Sequence, residues 1–88
     1  MTDRRVVAIA NDLDIVAARV EGRNLAREMG FGMIDQARIA TAISELARNV
    51  VLYAYTGEVI LSQVERDGRI GLQIICAVSY THLRAHET

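Results

Sequence analysis

Between Asp35 and Ala54 the apolar residues follow a single rule, and that rule leaves the rest of the chain few ways to fold. Gln36, Ile39, Ala40, Ile43, Leu46, Ala47, Val50 and Ala54 recur at i, i+3, i+4 and i+7. At about 100° per residue they share one stripe of a helix, and such a stripe has to be covered by a second layer. The helix is expected to begin near Asp35, whose carboxylate caps free backbone N–H groups and complements the helix dipole. Thr56-Gly57 breaks it.

The flanking segments supply that second layer. Arg4 to Ala10 is a short β-branched and apolar run that reads as a strand. Asn11 suits a helix N-cap, with Asp14 three residues on as the acidic half of a capping box, and the helix is expected to run to about Met29. Its apolar residues Ile15, Val16, Ala18, Val20, Leu25 and Met29 recur roughly at helical period, and Gly30 sits where a left-handed cap is wanted. After the second helix, Glu58 to Arg66 reads as a strand around Val59, Ile60, Leu61 and Val64. Asp67-Gly68 is a type I′ turn signal, and beyond it Ile70, Leu72, Ile74 and Cys76 alternate with Arg69, Gly71, Gln73 and Ile75. The order strand, helix, helix, strand, strand is not an alternation of βαβ units. It predicts an α+β two-layer sandwich with helices on one face of a mostly antiparallel sheet.

Composition matters here for what it excludes. With 51% hydrophobic and 24% charged residues the chain lies well away from disordered compositions. Ten basic residues, all Arg, face eleven acidic ones, so there is no cationic excess to gather phosphate backbones or anionic lipid, and no nucleic-acid partner is expected. No apolar run approaches a bilayer span, and Met1 to Arg5 leads straight into Val6 and Val7 without a signal-peptide pattern. Cys76 stands alone, with no disulfide partner and no metal-ligand spacing around it. A cytoplasmic protein without membrane contact is the expectation.

Residues 78–88 continue no upstream pattern. Back-translated, Val78-Ser79-Tyr80-Thr81-His82-Leu83-Arg84-Ala85-His86-Glu87-Thr88 resembles a transposase adapter of sequencing libraries. We therefore divide the chain into residues 1–77, the N-terminal part of a domain, and residues 78–88, a non-native tail excluded from fold reasoning. Both histidines, His82 and His86, fall in that tail, so their helical metal-site spacing carries no weight and residues 1–77 hold no histidine for a catalytic triad.

On the second helix Glu45 and Asn49 are four apart and lie one above the other, off the apolar stripe, on a face shared with Arg38, Thr41, Arg48 and Leu52. Taken alone, a Glu and an Asn at this spacing describe many solvated helices. Their setting is more specific. The runs Asp14-Ile15-Val16-Ala17-Ala18-Arg19, Gly22-Arg23-Asn24-Leu25-Ala26 and Gly30-Phe31-Gly32 lead into Asp35-Gln36-Ala37-Arg38-Ile39-Ala40-Thr41-Ala42-Ile43-Ser44-Glu45-Leu46-Ala47-Arg48-Asn49. Together they resemble the RsbT-type serine/threonine kinases, relatives of the anti-sigma-factor kinases within the histidine-kinase-like ATPase superfamily. The resemblance covers most of residues 4–76.

That resemblance implies a truncated sandwich of the histidine-kinase-like ATPase type and an ATP- and Mg²⁺-dependent protein-serine kinase that acts as a partner switch in bacterial stress and sigma-factor regulation. Its implied partners are STAS-domain antagonist or scaffold proteins and a protein phosphatase. The helix would carry the N-box of the superfamily: Asn49 a Mg²⁺ ligand through its hard amide oxygen, and Glu45 the base that orients and deprotonates a partner's serine. Arg48 either assists phosphate charge or pairs with a neighbouring acid. Tyr53, at i+4 from Asn49, either borders the nucleotide or packs at the helix end. Relatives continue after the position of Ile74-Ile75 with an Asp-x-Gly-x-Gly segment for adenine and a glycine-rich lid, whereas this chain continues with Cys76-Ala77 and the tail. The 88-residue polypeptide is therefore expected to be inactive. The rival class is a non-catalytic interaction module, an anti-sigma factor or phosphatase activator that binds without transferring phosphate.

Overall fold

The computed structural model describes residues 4–54 and 56–79. Strand β1 (Arg4–Ile9) is followed by helices α1 (Asp12–Glu28) and α2 (Met33–Asn49), a π-helical turn (Val50–Ala54), and strands β2 (Thr56–Arg66) and β3 (Arg69–Ser79). The sheet has the order β1-β2-β3 and is antiparallel throughout, with β2 in the centre. This is the expected α+β arrangement of helices over an antiparallel sheet.

Local chemistry sets the boundaries. At α1 the Asn11 side chain accepts from the Asp14 N–H at 3.2 Å while the Asp14 carboxylate accepts from the Asn11 N–H at 3.2 Å, which completes the capping box. Gly30 follows with φ 93°, the left-handed geometry that a residue with a Cβ resists. At the hairpin Asp67 and Gly68 both have positive φ, 55° and 79°, as a type I′ turn requires. The pairing Arg66↔Arg69 closes that turn, and Leu61↔Ile74 and Val59↔Cys76 follow in register.

Strand alternation then sorts the side chains. Val7 and Ile9 of β1, Val59 and Leu61 of β2, and Leu72, Ile74 and Cys76 of β3 face the helices and pack with Ile15, Ala18, Leu25, Ile43, Ala47 and Val50. Burying each of the larger side chains contributes about 1.5–3 kcal/mol. The two helices approach closely because α1 presents Gly22 to the buried Ile43 of α2. On the opposite face of the sheet Val6 and Ile75, both in register with Ile60, remain largely exposed. Arg5 reaches back from β1 to Glu21 and Glu28 of α1, tying the strand to the helix it precedes.

Five expectations are corrected. Helix α2 starts at Met33, not near Asp35: Gly32 is its N-cap and makes no side-chain cap, its carbonyl accepting from the Gln36 N–H at 2.9 Å, while Asp35 complements the dipole from within the first turn. Gln36 is buried, as its place on the core-facing stripe requires, and its side-chain amide donates to the Phe31 carbonyl at 2.8 Å. Strand β2 starts at Thr56, two residues early, because Thr56 and Gly57 pair with Ser79 and Val78. Strand β3 thus includes the first two residues of the segment assigned to the tail; the remainder, with His82 and His86, lies outside the described residues. Val16 and Val20 turn away from the core, 44% and 47% exposed, because at helical period they fall on the side opposite Ala18 and Leu25, where Gly22 and Ala26 complete the packing stripe. Ile70 is also exposed, lying beyond the reach of the helices at the hairpin end. Among the described residues no helix is long and apolar enough to cross a membrane.

Candidate functional site

Burial of Ala40, Ile43, Ala47 and Val50 fixes the rotation of α2, so the side chains between them in sequence point outward. Arg38, Thr41, Glu45, Arg48 and Asn49 are all exposed. Glu45 and Asn49 come together one turn apart on this outward face, and Arg48 flanks them. Next to Glu45 in sequence, Ser44 turns inward, where its hydroxyl donates to the Ala40 carbonyl at 2.8 Å and is thereby removed from any role on the outer face.

Asn49 is the last α-helical residue, and the chain then widens into the π-helical turn. Tyr53 sits in that turn and is 71% exposed. The i+4 relation to Asn49 assumed from α-helical spacing therefore does not hold, since a π turn closes its hydrogen bonds one residue further on and changes the direction of each side chain after it. Tyr53 does not pack at the helix end. It stands with Leu52, 59% exposed, as an apolar border to the polar face. The π turn itself was not legible from periodicity, because Val50 and Ala54 satisfy an α-helical pattern equally well.

Among the described residues no side-chain hydrogen bond or ion pair engages Glu45, Arg48 or Asn49, which leaves a carboxylate, a guanidinium and a carboxamide free to meet a partner or ligand. The Asn49 carboxamide oxygen is a hard donor suited to Mg²⁺, as is the Glu45 carboxylate beside it, and that cation keeps waters and phosphate oxygens as its other partners, so one protein ligand fits it. A groove of about 720 Å³ lies elsewhere, at the hairpin end along Val64, Arg66, Asp67, Ile70 and Gln73. That groove includes none of Glu45, Arg48 and Asn49.

A stretch of 75 residues, 85% of this chain, is 57% identical to the serine/threonine-protein kinase RsbT of Bacillus subtilis (strain 168). The chain spans 56% of the length of that curated relative. Wherever a match of that length is placed in 88 residues, it includes Glu45 and Asn49. No family model matches the chain, and no solved structure matches it.

Proposed function

Starting from an RsbT-like chain, we propose that the protein is an ATP- and Mg²⁺-dependent protein-serine kinase, a partner switch in bacterial stress and sigma-factor signalling, with α2 carrying its catalytic groups. The observation that carries the reading is the outward pairing of Glu45 with Asn49 on a rigid helix, inside a stretch that is 57% identical to a serine/threonine-protein kinase. In this reading the two helices over an antiparallel sheet form part of a histidine-kinase-like ATPase sandwich. STAS-domain proteins are its substrates, a protein phosphatase is its second partner, and the cytoplasm is its compartment.

Each residue has a distinct task. The Glu45 carboxylate accepts the proton of the attacking serine and fixes its oxygen for in-line displacement. Asn49 offers its carboxamide oxygen as a hard ligand. Arg48, one residue away and unpaired among the described residues, supplies positive charge to phosphate oxygens, and the exposed Tyr53 borders the nucleotide. Bound Mg²⁺-ATP supplies the phosphoryl group and neutralises the charge that builds as it transfers.

The test is transfer of labelled phosphate from ATP to a STAS-domain partner by the full-length protein. Glu45→Ala is expected to lower the rate by about a hundredfold or more with the circular dichroism unchanged. Undiminished transfer sinks the role of Glu45. Complex formation without label in the unsubstituted protein moves the chain to the non-catalytic class.

A further inference from the structure

Helix α1 spends its inward face on the core, yet its outward face is not the plain solvated surface that such a helix normally presents. Leu13 is 78% exposed, and Val16 and Val20, at three and seven residues further on, extend it into an apolar stripe. Beside this stripe run Arg19, Arg23 and Arg27, spaced one turn apart and all exposed. Like charges at i and i+4 repel and so destabilise the helix that carries them. Among the described residues none of the three is in a salt bridge. The acids of the helix do not pair with the ladder: Asp12 sits in the first turn, seven residues before Arg19, Asp14 closes the capping box, and Glu21 and Glu28 pair with Arg5 on the other flank.

Arg27 complements the dipole in the last turn of α1, but the exposed apolar stripe, Arg19 and Arg23 gain no partner within the described fold. Stripe and ladder both acquire a purpose if a partner brings apolar side chains to the one and carboxylates to the other. We infer that the outward face of α1 is a docking surface for an acidic amphipathic segment of another protein. Charge complementarity selects that occupant. A second copy of this face would set arginine against arginine. Three arginines on a chain whose formal net charge is -1 are also too few to favour an anionic bilayer over a protein. The inference is independent of the phosphotransfer reading, since Glu45 and Asn49 lie on the other helix.

The experiment uses the full chain and a designed helical peptide of about five turns with leucines along one stripe and glutamates on both flanks, followed by fluorescence anisotropy. Binding is expected, and it should weaken as salt is raised. Val20→Ser should weaken it at least about tenfold, as should the pair Arg23→Glu and Arg27→Glu, and the charge-reversed protein should instead bind a peptide with lysine flanks. All these positions are exposed, and circular dichroism confirms that the variants fold. The inference is overturned if the glutamate and lysine peptides bind the unsubstituted chain equally, if neither binds, or if the substitutions leave binding unchanged. It is equally overturned if vesicles of mixed phosphatidylserine and phosphatidylcholine capture the chain through these residues, or if sedimentation shows self-association that Val20→Ser abolishes.

Discussion

At Cys76 the sheet puts a titratable thiol partly out of water. The side chain is half-buried on the helix-facing side of β3, opposite Val59, and burial pushes its pKa above the ordinary thiol value. The folded state therefore holds this proton more tightly than the unfolded chain does. Its contribution to stability is complete below the ordinary thiol pKa and is lost as pH rises through the raised value. Denaturant unfolding across alkaline pH should show this decline, and Cys76→Ala should flatten it; an unchanged profile in the variant would assign the decline to other groups. The same protonation keeps the thiol a poor nucleophile near neutrality. Arg5 illustrates the opposite balance. Its guanidinium is mostly shielded, but Glu21 and Glu28 are about half exposed, so screening limits each pair to a modest contribution.

Where α1 crosses α2, Gly22 fixes how closely the two helices pack. A Cβ there would overlap Cδ1 of Ile43, a side chain with no exposed surface and so no room to yield. Gly22→Ala should lower stability by about 1–2 kcal/mol, the overpacking cost exceeding the gain in helix propensity. Adding Ile43→Val, which removes the offending methyl, should recover part of that loss in the double variant; additive losses would show that the two residues do not compete for the same space. Little of this contact was legible in advance, because sequence periodicity marks which face is buried but not the distance across which two faces meet. The capping box at Asn11 and Asp14, the Asp67-Gly68 turn and the stripe of α2 were legible, since each is fixed by residues close in sequence. What periodicity missed depends on partners far away: the start of β2 is set by Val78 and Ser79, and Gly57 is needed because a Cβ would lie 2.5 Å from the Ala77 carbonyl oxygen. For the site, Glu45 and Asn49 could be placed together from their spacing, whereas the π turn that redirects Tyr53 left no periodic signal.

Taken as one body, the chain places its two proposed catalytic groups on a convex helix face, and the described grooves run elsewhere. Glu45 and Asn49 act on a nucleotide only if other segments enclose it, and the 88-residue sequence contains no Asp-x-Gly-x-Gly segment for the adenine. Calorimetry on this polypeptide should therefore detect no tight, Mg²⁺-dependent ATP binding; a micromolar or tighter complex would show that α2 and its neighbours form a sufficient site. The sheet has a further consequence, in the order of events during synthesis. Strands β2 and β3 are joined by two residues and can zip together locally, and α1 and α2 are likewise adjacent in the chain, but the partner of Arg4 is Ser62. Val7 and Ile9 must therefore wait through the synthesis of both helices before β2 arrives to receive them, so β1–β2 is the strand pairing of greatest sequence separation in the sheet.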